Sequence, residues 1–191
     1  MTRTQYYTAT TIDGFIADER NSLDWLFEVG EEREDQEGAD PFATFFAGVG
    51  AFAMGRTTYE WVLAHDQLLE KPLKWEKYYG DVPAWVFSHH ELAPIPGADL
   101  TFVQGDVRPV HEAMTAAANG KNIWIVGGGE LAGAFADAGL LDEIILGVAP
   151  VSLGAGAPLL PRRLTSKRLS LTSMEQRGQF AYLTYAVGRP D

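Results

Sequence analysis

The chain has 191 residues, no cysteine, a formal net charge of −11 and a composition that is 46% hydrophobic and 12% aromatic. That length suits about one domain, residues 1–191, with ample material for one core. The acidic balance argues against a nucleic-acid partner, and the missing cysteines exclude disulfides, thiolate metal sites and thiol nucleophiles. The opening Met1-Thr2-Arg3-Thr4-Gln5 is polar and no apolar run reaches membrane-spanning length. A soluble, cytoplasmic protein with no membrane partner is the expectation.

Residues 5–11 (QYYTATT) are β-branched and aromatic and predict a strand, followed by an Asp13-Gly14 turn. Ser22-Leu23-Asp24-Trp25-Leu26 reads as a capped helical turn. Residues 28–40 hold seven acids and one arginine, six of the eleven net negative charges. Such a run reads as a solvated loop or helix face, with a lid as the functional alternative; clustered Glu without the turn glycines of a calcium loop argues against a metal site. Residues 41–49 (PFATFFAGV) begin with proline and predict a buried helix. Ala51-Phe52-Ala53-Met54 is a short buried strand, and Gly55-Arg56-Thr57-Thr58-Tyr59 starts a helix at a glycine. A short aromatic helix is expected around Trp75, Tyr78 and Tyr79, and strands at residues 83–88 and 100–103. Residues 107–119 place Val110, Met114 and Ala117 on one helical face and end at Asn119-Gly120.

Four consecutive apolar residues, Ile123 to Val126, read as a strand buried on both faces. Gly127, Gly128 and Gly129 follow, then a helical pattern of Leu131, Phe135 and Ala138 closed by Gly139. A strand at residues 142–148 leads into a Gly/Pro loop, 150–161. Residues 169–174 and 180–187 predict a closing antiparallel hairpin. Strands alternating with helices imply a three-layer α/β domain: a mostly parallel mixed sheet, helices on both faces and an antiparallel C-terminal hairpin.

The glycine trio is the strongest chemical signal. Strand, glycine turn and helix aim free backbone N–H groups and a positive helix end at a phosphate. No Lys-Ser/Thr follows Gly133, which excludes a Walker loop. Gly127, Gly129 and Ala132 satisfy G-x-G-x-x-G/A, but no acid stands at the end of the next strand, Gly147-Val148-Ala149. Arg56 at a helix start is unfavourable on dipole grounds unless an anion is shared there. Ser88 and His89, just after a strand, are polar groups suited to an adenosine phosphate, whereas adjacent His89 and His90 point opposite ways and make a metal pair improbable; no metal is expected. His65 and His111 read as surface or packing residues. Asp13 reads as a turn residue and Asp24 as a cap.

Four segments together resemble the dihydrofolate reductase-like superfamily. They are Thr10-Thr11-Ile12-Asp13-Gly14-Phe15-Ile16-Ala17, Met54-Gly55-Arg56-Thr57-Thr58-Tyr59, Val126-Gly127-Gly128-Gly129-Glu130-Leu131, and Asp142-Glu143 running on to Pro150, Gly154, Gly156, Pro158 and Leu159. The likeness is to the branch of the riboflavin-biosynthesis reductase domain, the C-terminal domain of RibD, which reduces a ribosylamino-pyrimidine phosphate with NADPH. The resemblance implies NADPH as cofactor. Gly55, Arg56, Thr57 and Thr58 would hold the adenosine-side phosphates, and Ser88 and His89 would flank the 2′-phosphate or adenine. Val126, Gly127, Gly128, Gly129, Glu130 and Leu131 would cradle the pyrophosphate. Ala9, Ile12 and Ile16 would approach the nicotinamide, with residues 18–23 as a gating loop.

The loop 150–158 would border a small heterocyclic substrate or a homodimer contact. Trp25 and Phe15, with Phe42, Phe45 and Phe46 beside them, are candidate pocket walls, the phenylalanines chiefly as core. Folate reductases carry a substrate-binding carboxylate shortly after a tryptophan; aligned on Trp25 that position falls near Gly30, between Glu28 and Glu31. Asp13 and Asp24 are the remaining candidate acids. The expected activity is hydride transfer to a pteridine- or pyrimidine-like heterocycle. Two alternatives stay open: an NADP-binding sensor without turnover, and a flavin or another phosphorylated ligand in the same cleft.

Overall fold

The computed structural model describes residues 1–31 and 40–190. Most of the acidic run, at residues 32–39, lies outside the described residues. The elements in chain order are β1 (Thr4–Thr11), β2 (Phe15–Ala17), α1 (Asp24–Glu31), α2 (Pro41–Phe46), β3 (Val49–Gly55), α3 (Arg56–His65), α4 (Leu73–Tyr79) and β4 (Ala84–Phe87). There follow β5 (Leu100–Val103), α5 (Val107–Ala117), β6 (Asn122–Gly127), α6 (Gly129–Asp137), β7 (Glu143–Ala149), β8 (Ala157–Pro158), β9 (Leu169–Arg177) and β10 (Phe180–Val187).

Eight strands form one sheet in the order β5-β4-β3-β6-β1-β7-β10-β9. The six from β5 to β7 are parallel, and β10 and β9 close the edge antiparallel. This is the mixed sheet with a terminal hairpin that the alternating pattern implies. The first strand in sequence is central in space, so its partners come from far along the chain.

Alternation along each strand explains the layers. On β3, Ala51 and Ala53 join the core under α5 and α6, while Phe52 and Met54 face α3 and α4. On β6, Ile123 and Ile125 take the first side, and Trp124 and Val126 the second. A strand covered on both faces needs apolar residues at every position, hence the unbroken run in the sequence. Fully burying one such side chain contributes about 1.5–3 kcal/mol. Trp25 of α1 packs beside this second layer on Ala149 and Phe180, with Ala9, Val151, Leu153 and Tyr182 around it.

Residues 41–49 form a shorter helix than the pattern predicts. The helix stops at Phe46, Gly48 donates back to the Phe45 carbonyl at 3.0 Å, and Val49 already enters β3. Sheet pairing wins because the Gly48 carbonyl accepts from Asn122 at 2.9 Å, tying the turn to β6. Phe42, Phe45 and Phe46 surround Trp124 at ring separations of 5.4, 5.8 and 6.0 Å. They are partly buried and pack against the core from outside, so α2 covers the sheet as a surface helix and not as the buried helix its composition predicts.

Candidate functional site

The candidate residues gather where the parallel strands end. Met54 of β3 lies in register with Gly127 of β6, which brings the two glycine turns side by side. A side-chain carbon built on Gly55 would stand 3.8 Å from both the Gly127 carbonyl oxygen and the Gly128 nitrogen. Helices α3 and α6 both begin here, at Gly55 and Gly128, with no side-chain cap. By contrast, Asp40 caps α2 and Asp106 caps α5. The N-caps of α3 and α6 therefore lack the carboxylate that α2 and α5 receive, as does that of the short α4.

Gly127 has φ +147°, a conformation that excludes ordinary side chains, and its peptide bond to Gly128 is cis. A carbon on Gly127 would approach Thr58 Oγ1 at 3.7 Å, and one on Gly128 would approach Ile16 Cδ1 at 3.9 Å. Thr58, Gly127, Gly128 and Ile16 thus meet at one place, with Arg56 and Thr57 exposed on the first turn of α3. The Arg56 guanidinium lies along its own helix, Nε 3.5 Å from Glu60 Oε2, with both side chains half exposed. Ser88 and His89 follow β4, whose Phe87 is paired with Gly55, so they stand at the same edge one strand further out. The Ser88 hydroxyl accepts from the His90 amide at 2.9 Å and shapes its own loop, leaving His89 exposed.

The loop 150–162 is pinned to this edge at several points that the sequence does not announce. A carbon on Gly129 would penetrate the carbonyl oxygens of Pro158 and Leu159, so only glycine admits that strand of the loop. Leu159 donates to the Gly14 carbonyl at 2.9 Å, and the buried Tyr6 hydroxyl donates to the Leu159 carbonyl at 2.9 Å. Burial pushes the Tyr6 hydroxyl above its ordinary range. β2 and β8 pair antiparallel, Phe15 opposite Pro158 and Ala17 opposite Ala157, a two-stranded ribbon hidden from sequence because β8 has only two residues, one a proline. Leu153, Leu159 and Leu160 are partly buried against the core. The loop consequently offers less apolar surface than its composition suggests.

Asp13 belongs to the same fastening. Its carboxylate accepts from the Thr11 hydroxyl at 2.5 Å, the Gly154 amide at 2.7 Å, the Ser152 hydroxyl at 2.9 Å and the Leu153 amide at 3.1 Å. These bonds, the one from Thr11 foremost, hold the carboxyl well below the usual carboxylate range. Asp13 is a fixed anion with its lone pairs engaged. Asp24 is exposed at the start of α1, where its amide donates to the Ser22 hydroxyl at 3.1 Å; the hydroxyl, not Asp24, serves the helix start. Asp18 accepts from the Ser22 and Arg20 amides at 2.8 Å each, which lowers its pKa and shapes the loop 18–23. That loop and residues 154–157 border an open groove of about 590 Å³, with Phe15, Asp18, Asn21 and Gly156 among its walls.

Ala9 lies on β1 within the Trp25 cluster, Ile12 is 68% exposed beyond the end of β1, and Ile16 faces Gly128. Val126 packs in the α2–α4 layer and Leu131 in the α5–α6 layer, so they support the turn through the core. The Glu130 carboxylate is drawn along α6 to Arg162, with Oε2 2.9 Å from Nη1. Sequence reading did not single out Arg162, Tyr6 or the β2–β8 ribbon. Arg162 follows Pro161 in a loop with no motif, and Tyr6 looks like any strand aromatic. His111 is elsewhere: its Nε2 lies 2.8 Å from Thr4 Oγ1, at the opposite end of β1, and burial lowers its pKa. Among the described residues no three His, Asp or Glu side chains converge as a metal site, and no helix is long and apolar enough to cross a membrane.

The arrangement offers two uncapped helix starts, the Thr57 and Thr58 hydroxyls and the Arg56 guanidinium on one rim. That set fits an extended ligand carrying phosphate at more than one point. The RibD C-terminal domain model matches residues 4–182. The uncharacterized protein YwjB of Bacillus subtilis (strain 168) is 34% identical over 185 residues, 96% of this chain and 97% of that one. A crystallised putative riboflavin biosynthesis protein from Shewanella sp. PV-4 superposes with a TM-score of 0.76 at 26% identity, covering 98% of this chain and 100% of that one. Dihydrofolate reductase from Enterococcus faecalis, complexed with NADP(H), superposes with a TM-score of 0.55 at 13% identity, covering 99% and 97% of the two chains. Sequence, sheet order and glycine turns converge: the chain belongs to the RibD C-terminal domain family and carries the dihydrofolate reductase-like α/β fold.

Proposed function

We propose that this protein is an NADPH-dependent reductase acting on a pyrimidine- or pteridine-like heterocycle, the class to which 5-amino-6-(5-phosphoribosylamino)uracil belongs. The observation that carries the reading is the pairing of two glycine-started helices at adjacent strand ends, Gly55 within 3.8 Å of Gly127 and Gly128 once a side-chain carbon is imagined there. NADPH, when bound, supplies the hydride. The chain's residues supply position. First-turn amides of α3 and α6 hold phosphate, the Thr57 and Thr58 hydroxyls add donors, and Arg56 exchanges Glu60 for a phosphate oxygen, with Ser88 and His89 at the adenosine end. Ala9, Ile12 and Ile16 offer apolar surface to a flat ring, and the loop 18–23 borders the groove on the substrate side. A cytoplasmic location and a homodimer belong to the same proposal.

Saturable quenching of tryptophan fluorescence by NADPH, weakened in Arg56→Ala, is expected, followed by NADPH consumption with one member of a heterocycle panel. No fluorescence change at millimolar NADPH overturns the reading. A second reading, cofactor binding without turnover, has one observation in its favour: Asp13 is held as an anion by four donors and so has no proton to give. Binding without NADPH consumption across the panel would select it.

A further inference from the structure

Glu130 poses a conflict for any anionic ligand at the α6 start. It stands two residues past the N-cap, where a carboxylate suits the helix dipole but repels a phosphate seeking the same amides. The structure resolves the conflict through Arg162. Its Nη1 meets Glu130 Oε2 at 2.9 Å and the Pro161 carbonyl at 2.8 Å, while its Nε meets Asp137 Oδ2 at 2.7 Å. Glu130, Gly133 and Asp137 are spaced i, i+3 and i+7, along one face of α6. A carbon on Gly133 would lie 2.8 Å from the guanidinium carbon and 2.9 Å from Nε, so the helix is notched to let the side chain lie flat across it. Arg162 is three-quarters buried, whereas Glu130 is 76% exposed. The guanidinium is the more buried partner and is held by three hydrogen bonds, and the carboxylate is the solvent-exposed one.

We propose that Arg162 is a positioning residue that sets affinity for a pyrophosphate-bearing dinucleotide, by drawing the Glu130 carboxylate down α6 and cancelling its charge. This rests on the functional reading above. One guanidinium against two carboxylates leaves the trio at −1. Arg162→Gln takes it to −2, Glu130→Gln to 0, and the double variant returns it to −1. Affinity should follow that charge.

The test is NADPH titration of the full chain and the three variants at low and high salt. Glu130→Gln is expected to bind tightest and Arg162→Gln weakest, each about two- to five-fold from the parent, the size of one charge at a helix end. The double variant should recover parental affinity, and added salt should narrow all the gaps. A strap that mattered only for shape would make Glu130→Gln bind no tighter than the parent and leave the double variant weak; either result overturns the proposal. Should Arg162→Gln fail to fold by circular dichroism, the sign and salt dependence of the Glu130→Gln change decide alone. If the parent does not bind NADPH, the functional reading falls and the inference with it; if the parent binds and the order fails, only the inference falls.

Discussion

At the start of α3, a side-chain carbon added to Gly55 would find its nearest neighbours 3.8 Å away; at the start of α6, one added to Gly129 would run into the carbonyls of Pro158 and Leu159. Both turns follow a parallel strand and both open a helix without a side-chain cap. They differ in what holds them. The α6 start is wedged by a loop that Tyr6, Gly14, Asp13 and Arg162 fasten down. The α3 start is held by its strand neighbours, by the buried Tyr59, whose hydroxyl donates to the Ala93 carbonyl at 2.7 Å, and by an exposed Arg56–Glu60 pair. One half of the rim is crowded by a distant loop, and the other leaves space around its glycine.

The contrast can be broken most sharply at Gly129. Gly129→Ala forces backbone carbonyls to move and should destabilise by about 1–3 kcal/mol, as overpacking does. Gly55→Ala, at an ordinary φ of −81°, should cost less than about 1 kcal/mol. Thermal unfolding of the pair checks this, and equal shifts would dissolve the distinction. Next, Arg56→Ala should weaken NADPH binding about tenfold, the scale of one charge-assisted hydrogen bond, while leaving the melting temperature unchanged because an exposed 3.5 Å pair adds little. Tyr6→Phe strips the Leu159 carbonyl of its donor and should cost about 1 kcal/mol. It should also soften the Gly129→Ala penalty, a coupling that a double-mutant cycle reads directly.

Asp13 gives the smallest effect and a definite sign. Its carboxyl is held low when folded, so the stability it contributes is complete above the ordinary value of 3.8 and drains away as pH falls below it. Asp13→Asn should flatten that acid limb of the unfolding profile. An unchanged acid limb would show that the four bonds do not favour the anion.

Much of this was readable beforehand, for identifiable reasons. The run Ile123-Trp124-Ile125-Val126 could only be a strand buried on both sides, and the glycines after it could only turn tightly. Gly55 and Gly127 could be suspected as a pair because each closes an apolar strand and opens a helix. What stayed hidden depends on contacts between distant residues. Nothing local marks Arg162 as lying across Gly133, or makes a two-residue β8 a partner for Phe15. Asp13 looked like a turn aspartate and is one, yet its bonds to Ser152, Leu153 and Gly154 reach about 140 residues along the chain. Val49 ended the α2 pattern early because its partner strand, not its propensity, decided its conformation.

The central place of β1 bears on how the molecule comes into being. Thr4–Thr11 is synthesised well before both of its neighbours, β6, from Asn122, and β7, from Glu143. The strand therefore has no partner on either edge until β6 has been made and gains its second only with β7, and closing so long a loop is slow. Nascent chains halted before β6 should leave residues 4–11 open to protease and to holding chaperones, and chains extended past β7 should protect them. The rim described above is completed later still, when the loop 150–162 reaches back to Gly14.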